Sequence, residues 1–330
     1  MNKLLVISGP TATGKTQLAF KLVKKFNGEL ISADSRQVYK GMDIGTGKDR
    51  ETESRDQIVE SRIRIWGYDV VEPSGEWSAA HFVKLAQKLI PEIQSRGKLP
   101  VIVGGTGLYI ANLLNPPETL NIPPDKKLRG ELEKLPLDEL QDRLKKINPE
   151  RFASMNYSDQ RNARRLIRAI EVVKFPKLRS ARFLDFGTFR RLFARNDDAQ
   201  ILQIGLTAAT QELDRRIEER VRQRIGQGVE EEVRGLVKKY GWDSALKFTI
   251  GYKEWRPYME IIRSQESGVR SQGMTKKEVV KRWIIHEKQY ARRQLTWMAK
   301  YSPDNLFNIS KPDYILDIEA YVDRWYYGNR

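Results

Sequence analysis

The segment GPTATGKT, residues 9–16, constrains the fold of this chain more than any other feature. It matches the pattern G-x-x-x-x-G-K-[ST] of a phosphate-binding loop. The apolar run LLVIS precedes it, and KTQLAFKLVKKF follows with its apolar residues at helical spacing. A strand, a glycine loop and a helix in this order are the context that the pattern requires. The sequence therefore predicts an α/β fold that binds a phosphorylated ligand at this loop.

Each part of the loop has a physical role in binding phosphate. Backbone N–H groups and the positive end of the following helix attract phosphate oxygens. Lys15 is expected to neutralise the terminal phosphate, and the hydroxyl of Thr16 to bind Mg²⁺ as the metal ligand. The pattern does not distinguish a diphosphate from a triphosphate. The predicted diphosphate- or nucleotide-binding residues of the loop are Gly9, Pro10, Thr11, Ala12, Thr13, Gly14, Lys15 and Thr16.

The remaining strand and helix signals predict an open parallel sheet of the P-loop type, flanked by helices. GELISAD and KLPVIVGG are apolar runs, and continuous apolar strands are typical of a parallel sheet that is covered on both faces. Two Pro-Pro pairs in NPPETLNIPPD then end this pattern, and a charged segment of helical spacing follows. AQILQIGLT returns to the sheet. We predict a catalytic core at 1–115, an inserted helical lobe at 116–195, and the rest of the core with basic C-terminal helices at 196–330.

Asp34 ends the second predicted strand and is the main candidate for chemistry. A phosphate-loop ATPase carries an acidic residue at the end of another strand, next to Mg²⁺. Here the strand VIVGGTGLY ends in glycines, and Thr106 within it offers a hydroxyl to the same crevice. Asp34 could hold a metal or take a proton. It could also cap a turn, which is a common role for Asp.

The charge distribution predicts a polyanionic partner. The formal net charge is +16 at pH 7. Residues 151–195 hold 12 Lys and Arg against three acidic residues, and residues 271–300 hold 8 against two. Both stretches are interleaved with aromatic residues, which favours nucleic acid over two merely solvated helix faces or a membrane surface.

Other site classes are disfavoured by composition. The chain has no cysteine, which excludes disulfides, thiolate nucleophiles and Cys-based zinc sites, and it has only two histidines. No run approaches the roughly 20 apolar residues of a membrane span, and the first apolar run is too short for a signal peptide. We expect a cytoplasmic protein that does not bind membranes.

Six segments occur in an order that matches a known family. They are GPTATGKT, ISADSRQVYKGMDIGTGK, PVIVGGTGLY, DQRNARRLIRAIEV, TIGYKE and QYARRQLTW. Together they resemble the tRNA dimethylallyltransferases (tRNA isopentenyltransferases) over nearly the whole chain. The resemblance implies transfer of a dimethylallyl group from dimethylallyl diphosphate to the N6 amine of the adenosine 3′-adjacent to the anticodon. It implies the tRNA anticodon stem-loop and dimethylallyl diphosphate as partners and Mg²⁺ as cofactor, and we expect a monomer.

The resemblance also implies residue roles. Asp34 is expected to accept a proton from the adenine amine, with Thr106 as the second catalytic residue. Arg220 is expected either to bind the diphosphate or to be a solvated helix arginine. The implied tRNA-binding residues are Asp34, Ser35, Arg36, Gln37, Gln160, Arg161, Asn162, Ala163, Arg164, Phe248, Thr249, Ile250, Gly251, Tyr252 and Lys253.

The chain departs from the family pattern in places. IRIWGYDVVEP stands where members often have P-H-H-L-I-D, which affects the wall near Tyr68. Three other functions stay open from the residues alone. They are an adenylate isopentenyltransferase acting on free adenine nucleotides, a P-loop nucleotide kinase, and a nucleic-acid-binding module without catalysis.

Overall fold

A six-stranded parallel sheet forms the centre of the protein. The structure is a computed structural model, and it describes residues 3–48, 63–174, 200–266, 274–300 and 305–328. The strands follow the order β3-β2-β4-β1-β5-β6 across the sheet, and every neighbouring pair is parallel. Their bounds are β1 Lys3–Ser8, β2 Gly28–Ser32, β3 Ile65–Trp66, β4 Leu99–Gly104, β5 Gln200–Thr207 and β6 Asn305–Asn308.

Helices connect the strands and continue beyond them. Three follow strands in the first part of the chain: α1 Lys15–Lys25, α2 Ala79–Ser95 and α3 Gly107–Leu114. Five short helices come next: α4 Lys126–Leu132, α5 Leu137–Ile147, α6 Pro149–Ala153, α7 Tyr157–Gln160 and α8 Ala163–Lys174. The last five are α9 Thr210–Gly226, α10 Val229–Tyr240, α11 Arg256–Glu266, α12 Lys276–Lys300 and α13 Tyr314–Tyr327.

The centre of the sheet explains why the phosphate loop lies where it does. β1 lies between β4 and β5, with Leu5 opposite Val101 on one side and Leu202 on the other. All three side chains are buried in one apolar cluster, together with the inner face of α1. Since parallel strands end at the same edge, the segments after β1, β2 and β4 meet there.

A second apolar cluster organises the helices that follow β5. Tyr252, Trp255 and Trp283 are fully buried and pack with Met42 from the segment after β2. The core residues Val221, Val233 and Leu246 belong to the same cluster. This packing brings α9, α10 and α12 to the segment that carries Asp34. The long charged helix of the sequence breaks at Gly228, whose φ is +92°.

The chain divides into two compact units, residues 1–113 with 190–330 and residues 114–189. The second unit is helical, with Leu140, Leu144 and Leu166 fully buried in its core. Among the described residues of this unit, the most buried charge is Glu171, which accepts hydrogen bonds from Arg129 and Arg168. The aromatic part of the basic stretch, residues 175–199, lies outside the described residues, as does the predicted boundary at 195.

The predicted fold class is confirmed: an open parallel sheet is flanked by helices, and a helical unit is inserted in the chain between β4 and β5. Within the described ranges, no helix combines the length and the apolar character needed to cross a membrane.

Candidate active site

Side chains of the phosphate loop donate hydrogen bonds to the carbonyl of Pro10 within the same loop. Gly14 has a φ of +77°, a left-handed conformation that favours glycine, and α1 begins at the next residue. The Thr13 hydroxyl is buried and donates to the Pro10 carbonyl at 2.8 Å. The Lys15 Nζ donates to the same carbonyl at 2.7 Å. The lysine therefore lies across the loop, at the N-terminus of α1.

A pocket of about 530 Å³ opens beside this loop, and we name it the loop pocket. Three of the eight predicted loop residues line it: Thr11, Lys15 and Thr16. The side chains are mostly polar, as expected for a site that receives an anion. Its other lining residues are Ser32, Asp34, Gln37, Thr46, Gly47, Tyr68, Val103, Gly104, Gly105, Arg220, Arg224, Tyr290 and Gln294.

A second pocket of about 820 Å³ shares part of this lining, and we name it the neighbouring pocket. The residues found in both are Thr11, Asp34, Thr46, Arg220, Arg224 and Tyr290. The neighbouring pocket is further lined by Ser35, Arg36, Gly45, Phe248, Thr249, Ile250, Lys253, Glu287 and Arg293. Asp34 thus lies on the wall between a phosphate-loop pocket and a pocket that is rich in cations.

Asp34 closes a turn and still faces both pockets. Its Oδ1 accepts the backbone N–H of Arg36 at 2.8 Å and that of Gln37 at 3.4 Å. Among the described residues, the hydrogen bonds to this carboxylate involve Oδ1 alone. The turn therefore fixes the side chain by one oxygen and leaves Oδ2 for a ligand. The capping role and a catalytic role are compatible at this residue.

Thr106 supports the Asp34 segment from the neighbouring strand. Its hydroxyl accepts the N–H of Ser35 at 3.1 Å, and its own N–H donates to the Ala33 carbonyl at 3.2 Å. These two bonds join the end of β2 to the end of β4. They position the carboxylate relative to the glycine-rich segment after β4.

Two of the predicted tRNA-binding segments meet at the neighbouring pocket. The guanidinium of Arg36 lies 4.7 Å from the ring centroid of Phe248, whose side chain is exposed. Gln37 is different, because its amide is used within the protein: it accepts from the Ser32 hydroxyl at 3.0 Å and donates to the Gly47 carbonyl at 2.9 Å. Tyr252 is fully buried. Phe248 is thus the exposed member of these two segments, and Arg36 lies over its ring.

Glu232 holds the glycine loop that follows Asp34. One carboxylate oxygen accepts the N–H groups of Asp43 and Ile44, at 3.0 and 2.7 Å. The other accepts the N–H of Gly45 at 3.0 Å and the Tyr252 hydroxyl at 2.6 Å. Sequence reasoning gave no role to this helix residue, because its partners are backbone groups far away in the chain.

The glycines and Asp43 have packing roles in this loop. A Cβ on Gly45 would lie 2.5 Å from the Tyr252 ring, and one on Gly47 would clash with the Arg224 guanidinium. Asp43 binds the buried ammonium of Lys48 at 2.6 Å, and Asp69 binds it at the same distance. The loop is therefore fixed by an internal ion pair and by close packing.

Helix α12 contributes two site residues that the sequence did not single out. Gln294 accepts the N–H of Thr11 at 2.8 Å and donates to the Gly105 carbonyl at 2.7 Å. Tyr290 lines both pockets, and burial together with the nearby Asp34 charge raises the pKa of its phenol. The two residues are four apart on a helix, which was the available signal that they share one face. The sequence indicates only a basic stretch at residues 271–300 that favours nucleic acid.

Arg220 lies in the site and is not merely a solvated helix arginine. Its Nη2 donates to the Thr11 hydroxyl of the phosphate loop and lies 3.4 Å from Glu287 Oε2. Its Nε is buried and has no acceptor among the described residues. The guanidinium is placed to meet an anion at the loop.

The predicted tRNA-binding residues of the helical unit run from the end of α7 to the start of α8. Arg161, Asn162, Ala163 and Arg164 are exposed, and Arg161 stacks over Tyr157 at 4.6 Å. Gln160 is instead bonded to the backbone carbonyls of Phe152 and Met155.

Known proteins resemble this chain over most of its length. The family model for IPP transferase matches residues 37–301. A tRNA dimethylallyltransferase of Anoxybacillus flavithermus is 36% identical over 93% of this chain and 91% of its own length. That of Acetivibrio thermocellus is 36% identical over 99% of this chain and 97% of its own length.

Solved structures agree with the sequence relatives. The full-length tRNA isopentenylpyrophosphate transferase of Bacillus halodurans is 32% identical, with a TM-score of 0.66 over 98% of this chain and 96% of that one. A eukaryotic dimethylallyltransferase acting on tRNA is 25% identical, with a TM-score of 0.75 over 100% of this chain and 81% of that one. The order of the motifs, the fold and these relatives lead to one conclusion: the chain belongs to the IPP transferase family.

Proposed function

We propose that the protein transfers a dimethylallyl group from dimethylallyl diphosphate to the N6 amine of the adenosine 3′-adjacent to the anticodon of tRNA. The observation that carries the proposal is the position of Asp34 on the wall shared by the loop pocket and the neighbouring pocket. A base at that position can reach a nucleophile in one pocket while a leaving group occupies the other.

The loop pocket is the proposed site of the diphosphate. The start of α1 and the cations Lys15 and Arg220 face it, and they counter the charge that develops on the leaving oxygen. In the reaction, the C1–O bond of the donor breaks and the bonding pair leaves with the diphosphate. Stabilising this charge is the main task of the loop side of the site.

The residues of the loop pocket also fit Mg²⁺. Mg²⁺ prefers oxygen ligands, keeps several waters and binds phosphates with only one or two protein groups. The Thr16 hydroxyl supplies such an oxygen at the loop, and the Asp34 carboxylate lies in the same pocket. Bound there with the donor, the ion supplies further charge neutralisation on the diphosphate.

The neighbouring pocket is the proposed site of the adenine. As the N6 nitrogen forms its bond to C1, it loses a proton, and Oδ2 of Asp34 is the proposed acceptor. Thr106 keeps the carboxylate in place through Ser35. A stacked anticodon-loop base has to leave its stack to reach such a pocket, as other base-modifying enzymes require. Arg36 and Phe248 offer a stacking surface and a positive charge at its rim.

The binding of tRNA is proposed to use two further surfaces. Arg161 and Arg164 in the helical unit are exposed cations that suit phosphate contacts. Lys253 and Arg293 add positive charge to the neighbouring pocket. An enzyme of free nucleotides does not need the helical unit, so its exposed cations favour a tRNA substrate.

The proposal is tested by nucleoside analysis. Purified protein is incubated with Mg²⁺, dimethylallyl diphosphate and an unmodified tRNA with adenosine next to the anticodon, and the nucleosides are then measured by mass spectrometry. We expect a dimethylallyl mass gain on that adenosine. A matched tRNA with guanosine at this position is the control and should stay unmodified.

Two outcomes distinguish the other functions. A mass gain on AMP with none on tRNA would identify an adenylate isopentenyltransferase. Phosphate transfer from ATP to a nucleotide, with no prenyl transfer, would identify a kinase.

A further inference from the structure

Glu287 is a buried carboxylate on α12 that lies between two arginines at the site. Its side chain is 7% exposed. Oε2 lies 3.4 Å from Nη2 of Arg220, and Oε1 lies 3.3 Å from Nη1 of Arg224. The indole Nε1 of the fully buried Trp283 donates to Oε1 at 3.4 Å. A carboxylate in this position costs desolvation free energy, which calls for a reason beyond packing.

The two arginines face the pockets from one side of α9. They are four residues apart, so they lie one above the other on the same helix face. Both line the loop pocket and the neighbouring pocket. Arg220 also contacts Thr11 of the phosphate loop, and Arg224 donates to the Gly45 carbonyl at 3.2 Å.

One N–H donor of these two arginines has no acceptor among the described residues. The Nε–H of Arg220 is buried, and no described residue accepts its hydrogen bond. Buried donors are nearly always satisfied in folded proteins, by protein groups, water or a ligand. A phosphate oxygen is a fitting acceptor here, because a guanidinium offers parallel N–H groups to two oxygens of one phosphate.

We propose that Arg224 is a second arginine ligand of the diphosphate and that Glu287 is the positioning residue of both arginines. Glu287, Arg220 and Arg224 then form a clamp that receives the diphosphate end of the donor next to Lys15. This inference rests on the proposed function, since it assigns the loop pocket to a diphosphate. The carboxylate works against the anion by its charge, but it fixes both guanidinium groups before the ligand arrives. Preorganised arginines lose less freedom when they bind.

The test measures binding of inorganic diphosphate with Mg²⁺ to the full chain by calorimetry, without tRNA. Arg224→Met should weaken binding on the order of tenfold, the usual effect of losing a charge-assisted hydrogen bond. Glu287→Gln should weaken it severalfold, because one of the two accepting oxygens becomes an NH2 group, which cannot accept from the arginine that faces it. In turnover assays, both changes should raise KM for dimethylallyl diphosphate more than KM for tRNA.

Matched controls separate the clamp from general charge effects. Arg222→Met removes an arginine of the same helix that is 68% exposed, and Glu219→Gln removes a carboxylate that is 50% exposed. Both controls should bind diphosphate as the unchanged protein does. Arg224→Lys covers the case in which the methionine variant does not fold. It keeps the charge but loses the planar fork, so a clamp predicts weaker diphosphate binding.

Three results are decisive. Unchanged or tighter diphosphate binding by folded Glu287→Gln would overturn the positioning role. Normal binding by Arg224→Lys would overturn Arg224 as a forked ligand and leave a structural ion pair. Diphosphate binding that depends on both residues, in a protein that transfers no prenyl group to tRNA, would support the clamp and overturn the proposed function.

Discussion

The backbone N–H of Ser35 donates to the hydroxyl of Thr106 at 3.1 Å, and this bond joins the two most distinctive motifs of the chain. Ser35 follows directly on Asp34, so the bond fixes the direction of the carboxylate. The two residues follow β2 and β4, which are neighbouring strands of the parallel sheet. Their contact explains why a threonine follows the glycines after β4.

Thr106→Val should lower kcat by about tenfold, because it removes the acceptor of the Ser35 N–H and loosens the Asp34 turn. KM for both substrates should change little. Steady-state kinetics with tRNA and dimethylallyl diphosphate provides the measurement. Thr296→Val, at an exposed position of α12, is the matched control and should keep full activity. Equal kcat values for the two variants would show that the Thr106 hydroxyl is dispensable.

Asp34→Asn should lower kcat by at least ~10²-fold, because an amide cannot accept the proton of the adenine amine. The amide oxygen can still accept the Arg36 N–H, so the turn and the affinity for tRNA should persist. Single-turnover kinetics and a filter-binding assay measure the two effects. Asp243→Asn changes an aspartate that is 90% exposed and serves as the control. Near-normal turnover of Asp34→Asn would mean that another group takes the proton.

Gln294→Leu should raise KM for dimethylallyl diphosphate and lower kcat together. The side chain joins the Thr11 N–H to the Gly105 carbonyl, so its loss leaves both groups without their partner and uncouples the loop from the segment after β4. Gln289→Leu changes an exposed residue of the same helix and should have no effect. A normal KM for the donor in Gln294→Leu would contradict the bridging role.

Arg164→Ala should affect tRNA binding, whereas Arg168→Ala should affect the stability of the protein. Arg164 is exposed, and its loss should weaken tRNA binding. It should also reduce the slope of log K for tRNA binding against log salt concentration by about one unit. Arg168 instead donates to Glu171 and to the carbonyls of Thr119 and Ile122. Its loss should lower the free energy of unfolding by about 1–3 kcal/mol. Salt-dependent binding and thermal unfolding together check both statements, and an unchanged salt slope for Arg164→Ala would place that residue outside the tRNA interface.

Glu171 should make the helical unit sensitive to acid. Burial opposes its ionisation, but the hydrogen bonds from Arg129, Arg168 and the Asp125 N–H outweigh it and hold the pKa of Glu171 below its ordinary value. A folded pKa below the unfolded one gives stability that is present above about pH 4.5 and is lost as the pH falls through the folded pKa.

The measurement compares thermal midpoints of the unchanged protein and Glu171→Gln across pH. The difference should be constant near neutral pH and shrink below about pH 4.5. Glu139→Gln, at an exposed position of α5, should show no such trend. A difference that is independent of pH would mean that the Glu171 charge contributes nothing.

Much of the fold was predictable because its signals are local. The phosphate loop, the apolar strands and the glycines at helix ends each act within a few residues. The edge strands β3 and β6 were not predicted, since two and four residues carry too little periodicity. Lys15 and Asp34, which the motifs singled out, line the loop pocket, whereas the sequence left Arg220 open between a diphosphate ligand and a solvated helix arginine.

The rest of the site depends on contacts between distant segments. Glu232 binds backbone N–H groups near residue 44, and Gln294 binds the phosphate loop from α12. Such partners leave no local pattern, because any acceptor of the right reach would serve. Glu287 and Arg224 looked like two more charges on basic helices, and only the packing of α9 against α12 turns them into a buried pair.

The carboxylate of Asp34 lies where two pockets meet, and this geometry has a stereochemical consequence. If the diphosphate occupies the loop pocket and the adenine the neighbouring pocket, we expect the amine to approach C1 from the side opposite the departing oxygen. Displacement then inverts the configuration of that carbon. With dimethylallyl diphosphate made chiral at C1 by deuterium, the configuration of that carbon in the modified nucleoside would show whether inversion occurred.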